Sequence, residues 1–390
     1  MADDDTTFRI VADISEIDAA AWDGLLATQA DASPFMRHAY LRAMQTSGSA
    51  VTGTGWMARI LSLWQQDALL AACALYLKTH SYGEYVFDWA WADAYQRHGL
   101  PYYPKAVIAP PFTPVPGARL LARDASSRAM LLSATVAWCE AQELSSLHLL
   151  FGSEADMAAC ADAGLMLRHQ VQFHWQNARA DGRPFADFDD FLASLAQDKR
   201  KKIRQERRKV AEAGVRFRWA QGRDIAAADW DFFYRCYERT YLEHGNAPYL
   251  SRSFFASMAQ DMPEHWLLFI AERDGQAIAC SLVALQPDQG VAYGRYWGAL
   301  ARVDCLHFEA CYYQPLAWCI QRGYRRFEGG AQGEHKMARA LMPVRTSSAH
   351  WLAHPAFAEA VERFLEREGQ GVEHYLEELA QRTPFRQTAS

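Results

Sequence analysis

Two clusters of polar and aromatic residues in the second half of the chain contain groups that can transfer protons and bind anions. The first reads Tyr-Gly-Arg-Tyr-Trp-Gly at residues 293–298, and the second reads Glu-Gly-Gly-Ala-Gln-Gly-Glu-His-Lys at residues 328–336. A packed core has no use for this mixture of residue types. A site that binds a polar ligand close to its backbone and moves protons requires it. We therefore expect the two clusters to line one crevice.

The first cluster is predicted to be a strand in which Arg295 and Trp297 share one face and Tyr296 lies on the other. Glycines within a strand often mark the close approach of a ligand or of another backbone. If the arginine is buried, it needs an anionic partner. That partner is either a ligand carboxylate or phosphate, or an internal acid, Glu309 or Glu328. The alternative is a kinked strand whose aromatic side chains fill the core.

A helix is predicted to begin near residue 306 and to carry His307, Glu309 and Tyr312 near its start. The positive end of a helix dipole stabilises a carboxylate and lowers the pKa of a histidine. A neutral histidine at such a place can act as a general base. The alternative is that His307 only satisfies the backbone where the helix starts.

The second cluster is predicted to form a loop after a short strand. Its three glycines allow backbone amides to face an anion, and an acid, a base and a cation then follow in succession. The candidate contacts are Gly330, Gln332, Gly333, Glu334, His335 and Lys336. Arg345 is a further candidate anion contact. The alternative is a solvated loop with surface charges.

A metal site is another alternative, since histidine and carboxylate side chains are ligands for zinc. Its ligands would be His307, Glu309, Glu334 and His335. The chain contains no His-Glu-x-x-His motif and no Cys-x-x-Cys pair, so we predict that no metal is bound. The eight cysteines lie mostly in apolar stretches and are expected to be reduced, mostly buried thiols.

Two further segments are unusual in composition. Lys199–Lys209 holds eight lysines and arginines in eleven residues. This run is either a solvated helix face or an electrostatic path for the phosphates of a bulky donor, such as coenzyme A or an acylated tRNA. In the first half, four prolines stiffen a loop that holds side chains such as Phe112 and Thr113 at little further entropic cost. We interpret that loop as a binding rim or a domain contact.

The composition is typical of a globular protein with two domains. The chain has 390 residues, of which 50 % are hydrophobic and 22 % are charged, and its net charge is −6. This balance gives no overall attraction to nucleic acid or to an anionic membrane. The N-terminus is acidic where a signal peptide would be basic, and no apolar run approaches the ~20 residues of a membrane helix. We expect a cytoplasmic protein.

The order of predicted elements repeats along the chain, and each half contains two helices, a three-stranded antiparallel meander, a helix and a further strand. The predicted meander strands are 56–64, 68–78 and 84–89 in the first half, and 266–272, 277–286 and 290–298 in the second. A further strand is predicted at 166–176, and helices are predicted at 187–213, 355–369 and 372–381. The polar residues 177–190 suit a link between domains. The expected fold is therefore α+β, with two similar domains at residues 1–180 and 181–390.

The chain resembles the FemAB-like bacterial proteins of predicted acyltransferase function from about residue 30 to residue 380. The resemblance rests on Pro-Pro-Phe-Thr-Pro-Val-Pro-Gly, the basic run, Gly-Arg-Tyr-Trp-Gly, Leu-His-Phe-Glu-Ala-Cys-Tyr-Tyr, Gly-Ala-Gln-Gly-Glu-His-Lys and Ser-Ala-His-Trp. It implies two tandem GNAT-like domains, each a mixed, mostly antiparallel sheet flanked by helices. The similar Fem ligases move an amino acid from aminoacyl-tRNA to an amine of a peptidoglycan precursor, whereas other GNAT proteins use acyl-CoA.

The resemblance implies an N-acyltransferase that moves an acyl or aminoacyl group from an activated donor to an amine of a small molecule or peptide. Acyl-CoA or aminoacyl-tRNA would be the co-substrate, with tRNA reached through the basic run, and no cofactor would be tightly bound. The usual GNAT pyrophosphate motif is missing from residues 298–306 and 116–125. The resemblance therefore supports acyl transfer better than it supports any one donor.

Within that reaction the base is expected to be Glu334 or His335, and the oxyanion or proton donor Tyr296 or Tyr312. His307 and Glu309 complete the catalytic candidates. Anionic parts of the substrates would be held by Arg295, Lys336 and Arg345, and the other binding candidates are Trp297, Gly330, Gln332, Gly333, Phe112 and Thr113. The alternatives are a non-catalytic module that binds peptides or muropeptides, and a metal-dependent hydrolase.

Overall fold

The computed structural model describes residues 6–330 and 333–386, so Gln332 of the second cluster lies outside the described residues. The chain divides into two compact units. Unit 1 is made of the described residues within Met1–Gln170, Tyr249–Phe254 and Arg345–Tyr375, and unit 2 of those within Val171–Pro248, Phe255–Val344 and Leu376–Ser390. The domain limits expected from the sequence follow chain order and stay a prediction.

Most strands have between four and eleven residues. Numbered in chain order, they are β1 (Thr6–Val11), β2 (Trp56–Gln65), β3 (Ala68–Lys78), β4 (Lys105–Ile108), β5 (Leu121–Ala122), β6 (Ser146–Leu149), β7 (Met166–Gln176), β8 (Arg216–Gln221), β9 (Trp266–Arg273), β10 (Gln276–Gln286), β11 (Val291–Ala299), β12 (Arg326–Glu328) and β13 (Met342–Leu352).

Helices connect the strands. They are α1 (Ala19–Ala27), α2 (His38–Thr46), α3 (Trp89–Arg97), α4 (Ala125–Ala141), α5 (Glu154–Asp162), α6 (Phe188–Ser194), α7 (Gln197–Glu212), α8 (Ala227–Glu243), α9 (Arg252–Asp261), α10 (Leu306–Phe308), α11 (Gln314–Gln321) and α12 (Pro355–Ala380). Short 3-10 turns lie at Ile14–Glu16, Pro34–Met36, Thr52–Thr54, Gly222–Asp224, Pro263–His265, Pro287–Gln289 and Glu334–Arg339. Within residues 6–330 and 333–386, no helix is long and apolar enough to cross a membrane.

The sheet of unit 1 begins with four antiparallel strands in chain order, β1, β2, β3 and β4. β6 then pairs parallel to β4, and β13 pairs antiparallel to β6. Apolar side chains of the sheet, such as Leu61 and Leu75, form one buried cluster with Leu131 and Leu132 of α4 and Cys160 of α5. Burial of this apolar surface is the main force that holds the helices on the sheet.

The sheet of unit 2 has the same order of strands. β8, β9, β10 and β11 pair antiparallel in chain order, β12 pairs parallel to β11, and β7 pairs antiparallel to β12. The helix α8 packs on β10 and β11. Each unit is therefore a mixed, mostly antiparallel sheet with flanking helices, which confirms the predicted α+β class.

The strand predicted at residues 84–89 is wrong. The segment is a turn before α3, in which Gly83 and Tyr85 adopt positive φ angles of 81° and 63°. The carboxylates of Glu84 and Asp88 both contact the ammonium group of the buried Lys105. Because side chains four residues apart turn inward to one cation, the backbone between them cannot run straight as a strand does.

Other differences from the sequence prediction concern element limits. The strands β1, β8 and β13 were not predicted, since their polar and apolar residues do not alternate strictly. The helix predicted over residues 187–213 is broken into α6 and α7 at Leu195, which forms a β-bridge with Phe385. The two helices predicted at 355–369 and 372–381 are one helix, α12.

Candidate functional site

The parallel strands β11 and β12 of unit 2 separate after a short paired stretch. Residues 291–293 pair with residues 326–328, but β11 continues to residue 299. A cavity of about 140 Å³ opens beside this last part of β11. Its lining includes Ser281, Gly294, Arg295, Tyr296, Trp297, His307, Cys311, Tyr312, Phe327 and Gly329. The structure thus brings together five of the predicted site residues, which are Arg295, Tyr296 and Trp297 of the first cluster and His307 and Tyr312 of the following helix.

A β-bulge in β11 directs its side chains into this cavity. Gly294 and Tyr296 pair with consecutive residues of β10, so Arg295 is an extra residue in the strand. A bulge bends a strand and re-aims the side chains beside it. Arg295, Tyr296 and Trp297 consequently all line the cavity, and the strict alternation predicted for this strand is wrong.

The close packing around β11 requires glycine at one position in particular. A Cβ atom added at Gly298 would lie 2.2 Å from the carbonyl oxygen of Cys236 in α8. Backbone atoms cannot move away as a flexible side chain can. Gly298 therefore allows α8 to approach β11 and to close one side of the site, as expected for a glycine within a strand.

The helix after β11 contains a π turn, Glu309–Tyr313, between α10 and α11. The sequence predicted a regular helix there. From β10, the hydroxyl of Ser281 donates a hydrogen bond of 2.5 Å to the carbonyl oxygen of Ala310. A π turn inserts an extra residue into a helical turn and is frequent at functional sites. Here Cys311 and Tyr312, which belong to this turn, face the cavity.

His307 lies in the cavity wall beside two aromatic rings. The centre of its imidazole is 5.4 Å from that of Trp297 and 5.8 Å from that of Tyr312. Desolvation of the ring in the cavity wall lowers the pKa of His307 to about 4, and the positive charges of neighbouring side chains act in the same direction. The imidazole is therefore neutral at physiological pH and able to accept a hydrogen bond or a proton.

Tyr312 connects the cavity to His335. The Tyr312 hydroxyl lies 3.4 Å from Nε2 of His335, which belongs to the 3-10 turn that follows the glycine-rich loop. Partial desolvation of this exposed ring, followed by the charges of Lys336 and Arg339, lowers the pKa of His335 below its ordinary value. Burial raises the pKa of the Tyr312 phenol, so that the phenol is protonated at neutral pH. A phenol beside a neutral imidazole can pass its proton to it.

Lys336 is a buried amine next to the glycine-rich loop. Its Nζ donates a hydrogen bond of 2.9 Å to the carbonyl oxygen of Gly330. Burial lowers the pKa of this lysine to about 8. Gly333 precedes the 3-10 turn with a φ angle of 112°, which favours glycine.

Arg295 contacts the side chain of its neighbour Tyr296. Its guanidinium group lies 5.1 Å from the centre of the Tyr296 ring and donates a hydrogen bond of 3.1 Å to the Tyr296 hydroxyl.

Glu309 faces away from the cavity, toward α7. Its carboxylate accepts hydrogen bonds from Nε of Arg207, at 3.2 Å to each oxygen, and from Gln314 at 2.7 Å. These three residues line a separate cavity of about 420 Å³ together with Arg204 and Arg208. Glu309 is thus held by the basic helix and does not share the cavity of His307.

Glu334 also lies outside the cavity lining. Its side chain is about half exposed, at 52 %, and forms an ion pair of 3.4 Å with Arg382. The four residues considered as metal ligands are therefore not brought together. In the described part of the chain, no three histidine, cysteine, aspartate or glutamate residues are placed to hold a metal ion.

Three predicted contacts belong to unit 1. The Phe112 ring stacks on that of Tyr249 with centres 4.6 Å apart. The Thr113 hydroxyl lies 3.2 Å from that of Tyr40. Both Phe112 and Thr113 are buried, whereas Arg345 is exposed on β13. The two loop residues are therefore packing residues of unit 1.

The place in unit 1 that corresponds to the cavity is filled by the chain itself. Past the parallel pair β4 and β6, the amide of Leu150 still donates to the carbonyl of Ile108 at 3.1 Å, and Gly117 forms a β-bridge with Gly152. The buried Arg119 donates from Nε to the carbonyl oxygen of Leu150 at 2.9 Å. The proline-rich loop thus closes this place, and of the two parallel pairs the one in unit 2 opens beside a cavity.

Several residues at the site were not identified from the sequence. Ser281 and Cys311 line the cavity, and Glu206 and Arg339 are buried behind it. Ser281 lies within an apolar stretch and gives no signal, whereas Cys311 is four residues after His307 and so shares a helix face with it. Glu206 does give one, since it is the only acid in the basic run Lys199–Lys209.

Comparison with known proteins agrees with this architecture. Over residues 13–387 the sequence matches the family FemAB-like, described as peptidoglycan biosynthesis/recognition. Among solved structures the chain is similar to FemX, with 10 % identity over 91 % of this chain and 100 % of that chain and a TM-score of 0.54. It is similar to L-PGS from Bacillus licheniformis, with 10 % identity over 89 % and 97 % and a TM-score of 0.52.

A further structural match is a tandem GNAT protein from the clavulanic acid biosynthesis pathway, with 12 % identity over 90 % of this chain and 99 % of that chain and a TM-score of 0.44. No curated protein matches the sequence. At these identities the likeness to FemX and L-PGS shows the fold alone, and the predicted fold is confirmed.

Proposed function

The chain belongs to the FemAB-like family, a family of transferases, and we propose that it moves an acyl or aminoacyl group to an amine held in the cavity of unit 2. The observation that carries this proposal is the contact between Tyr312 and His335. Tyr312 lines the cavity and reaches the imidazole of His335 at 3.4 Å. A proton therefore has a path from a bound amine to a neutral base at the surface, His335.

The reaction needs this path because an amine must lose a proton when it attacks a carbonyl carbon. The amine nitrogen bonds to the carbonyl carbon of a thioester or ester, and the bond from that carbon to the leaving sulfur or oxygen breaks. The amine proton passes to the Tyr312 oxygen as the phenol proton passes to Nε2 of His335. The proton on Nε2 of His335 then passes to the leaving sulfur or oxygen. His335 and Tyr312 thereby return to their starting protonation states, and no proton is gained or lost overall.

The positive charges near the cavity suit anionic parts of the two substrates. Arg295 lines the cavity, and the ammonium group of Lys336 lies beside the loop next to it. Such donors stabilise the negative charge that develops on the carbonyl oxygen during the attack. We assign this role to Arg295, and we assign the base to His335 and not to Glu334, since Glu334 is exposed and paired with Arg382.

The basic helix α7 favours a donor with many phosphates. Of its cationic residues, Lys201, Lys202, Arg204, Arg208 and Lys209 are exposed, and such a surface binds phosphates by releasing counterions. We therefore propose aminoacyl-tRNA as the donor ahead of acyl-CoA, whose usual pyrophosphate motif the chain lacks. FemX and L-PGS share the fold only, and the acceptor class is taken from the family description, which points to a peptide of the peptidoglycan type.

The direct test is a transfer assay with each donor class. The protein is incubated with radiolabelled aminoacyl-tRNA or acyl-CoA and a muropeptide that carries a free lysine amine, and the acylated peptide is detected by mass spectrometry. Truncation of a cavity wall, Trp297→Ala, is expected to lower kcat/KM by about 10-fold or more, because loss of a large aromatic contact costs about 1.4 kcal/mol and upward. The matched control is Trp219→Ala, which removes an exposed ring from the same unit.

The family description also names recognition, so a non-catalytic module is the second candidate. The two candidates are separated by a thermal-shift measurement, since ligands of the folded state raise its melting temperature. Stabilisation by muropeptides without product from any donor would establish the binding module. Product from either donor that forms with a kcat/KM lowered by about 10-fold or more in Trp297→Ala, but not in Trp219→Ala, would establish the transferase.

A further inference from the structure

Arg339 uses each of its three nitrogen groups to join a different element of unit 2. Nη2 contacts both carboxylate oxygens of Glu206 in α7, at 3.1 and 2.9 Å. Nε donates to the hydroxyl of Tyr313 in the π turn at 3.0 Å. Nη1 donates to the carbonyl oxygen of His335 at 2.9 Å. The guanidinium group also lies 3.6 Å from the ring centre of Phe308.

Glu206 is placed in an unexpected position for an acid. The buried residues of α7 are Ile203, Glu206 and Val210, spaced as one face of a helix. The cationic side chains of the run Lys199–Lys209 are exposed or partly exposed. A carboxylate on the buried face costs free energy unless it is paired and hydrogen bonded. A helix that served only as a solvated surface would have an apolar residue here.

The pairing places the helix and the candidate base in one network. Glu206 also accepts a short hydrogen bond from the Tyr313 hydroxyl. Tyr313 is the direct neighbour of Tyr312, and His335 is held by its backbone carbonyl. Arg339 therefore fixes both groups of the proton path. It holds Tyr312 through the neighbouring residue Tyr313 and holds His335 through its backbone carbonyl.

We propose that Arg339, fixed by Glu206, is a positioning residue that sets the distance between Tyr312 and the imidazole of His335, and that it links this distance to the basic helix α7. The inference rests on the proposed function. Arg339 does not line the cavity, so it acts through the two residues and does not touch the substrate. A phosphate-rich donor bound on α7 would thereby contact the same helix that holds the proton path in place.

The first test needs no substrate. The ring pKa of His335 is measured by NMR titration of histidine-labelled protein, with His335→Asn to assign the signal. The charged or titratable groups around this ring are Tyr312, His307, Lys336 and Arg339. Arg339→Gln removes a positive charge and the carbonyl contact, so the ring pKa should rise toward about 6.5. Hydrogen exchange of residues 333–340 should become faster.

The variant Arg339→Lys separates charge from geometry. It keeps the positive charge but cannot make the three planar contacts, so the ring pKa should stay low while exchange of residues 333–340 becomes faster. Glu206→Gln should act on exchange in the same way. The matched control is Arg218→Gln, since Arg218 also joins two acids, Asp229 and Glu272, but lies on the surface of unit 2.

The transfer assay then distinguishes this inference from the proposed function. In Arg339→Lys, kcat should fall by about 10-fold or more with KM little changed, because a misplaced base affects the transition state more than binding. A folded Arg339→Gln protein with the ring pKa and exchange rates of the wild type would overturn the inference. Altered NMR and exchange results in a protein that transfers nothing would instead overturn the proposed function and leave the positioning role intact.

Discussion

The protonation states of His307, His335 and Tyr312 decide which of these residues can accept a proton at the site. His307 and His335 both have lowered pKa values because their rings are partly desolvated and lie near cations, so both are bases and not acids at neutral pH. Tyr312 stands between them, 5.8 Å from the ring centre of His307 and in contact with His335. A ligand in the cavity thus meets a phenol whose proton has two acceptors nearby.

The roles of this pair are tested by conservative substitution. His335→Gln and Tyr312→Phe should each lower kcat by about 10²–10⁴-fold, because each removes a member of the proton path and leaves the cavity shape nearly unchanged. The measurement is single-turnover transfer with saturating donor. The control Glu334→Gln should leave the rate within about 2-fold, since that side chain is exposed. Equal losses in all three variants would contradict the proton path.

Residue types and spacing identified part of this site and missed the rest. Arg295 and Trp297 were predicted because aromatic and cationic residues beside strand glycines are unusual in a core, and Tyr312 was predicted from its place near the start of the helix that carries His307. Glu334 was predicted from its adjacency to His335, yet neighbours in a tight turn point in different directions. Cys311 was not proposed as a site residue, because a cysteine in a helix is ordinarily a buried residue, although its spacing of four from His307 places both on one helix face.

At the scale of elements, three irregularities create the cavity. The strands β11 and β12 separate, β11 contains a bulge at Arg295, and the following helix contains a π turn. None of the three changes the hydrophobic period enough to be seen in the sequence. The elements themselves were predicted closely, for instance β3 and β7 at their observed limits, because long periodic segments give the strongest signal.

The packing of α8 on β11 leads to a stability prediction. Gly298→Ala should lower the free energy of unfolding by about 2 kcal/mol or more, because its Cβ would meet the carbonyl oxygen of Cys236 at 2.2 Å. The midpoint of urea unfolding measures the change. In contrast, Gly24→Ala lies within α1 with open space around it, and should stabilise by up to about 1 kcal/mol. If the two variants changed the free energy of unfolding equally, the added Cβ at residue 298 would be accommodated by a shift of α8 away from β11.

The exposed face of α7 gives a prediction on ionic strength. Replacement of Lys201, Lys202 and Arg208 by glutamine should weaken binding of aminoacyl-tRNA and reduce the slope of log affinity against log salt by about 0.7 for each phosphate that is no longer neutralised. Filter binding at several salt concentrations measures the slope. The control replaces Arg216 and Arg223, which are exposed elsewhere in unit 2. An unchanged slope would leave α7 as a solvated face.

At the scale of the whole molecule, the two units have the same order of strands but differ beside their parallel strand pairs. In unit 2 the parallel pair opens beside a cavity, whereas in unit 1 Arg119 and the proline-rich loop fill the corresponding place. The sixth strand of each sheet comes from a distant part of the chain, since β13 belongs to the sheet of unit 1 and β7 to that of unit 2. Pairing between distant segments leaves no local signal. The sequence therefore predicted the repeated order of elements but not that β13 pairs with β6 and β7 with β12.

Buried histidines give the whole molecule a predicted sensitivity to acid. In unit 1, burial lowers the pKa of His148 to about 3, and the ring lies 2.7 Å from that of His350 between their Nδ1 atoms. In the unfolded chain the same group has a pKa near 6.5. Below about pH 6.5 the unfolded state therefore binds more protons than the folded state, and stability falls as the pH falls toward 3.

The contribution of His148 is measured as a difference between proteins, because the nearby Glu84 has a pKa raised to about 7 by burial and shifts stability in the opposite direction. Between pH 6 and 4, the unfolding free energy of the wild type should decline more steeply than that of His148→Gln, by up to about 1.4 kcal/mol per pH unit for one proton. Above pH 7 the two slopes should be equal. The control His354→Gln removes an exposed imidazole from the same unit and should keep the wild-type slope. Parallel curves for His148→Gln and the wild type would mean that the imidazole is protonated in the folded state, stabilised by Asp88, which lies 3.9 Å from its Nε2.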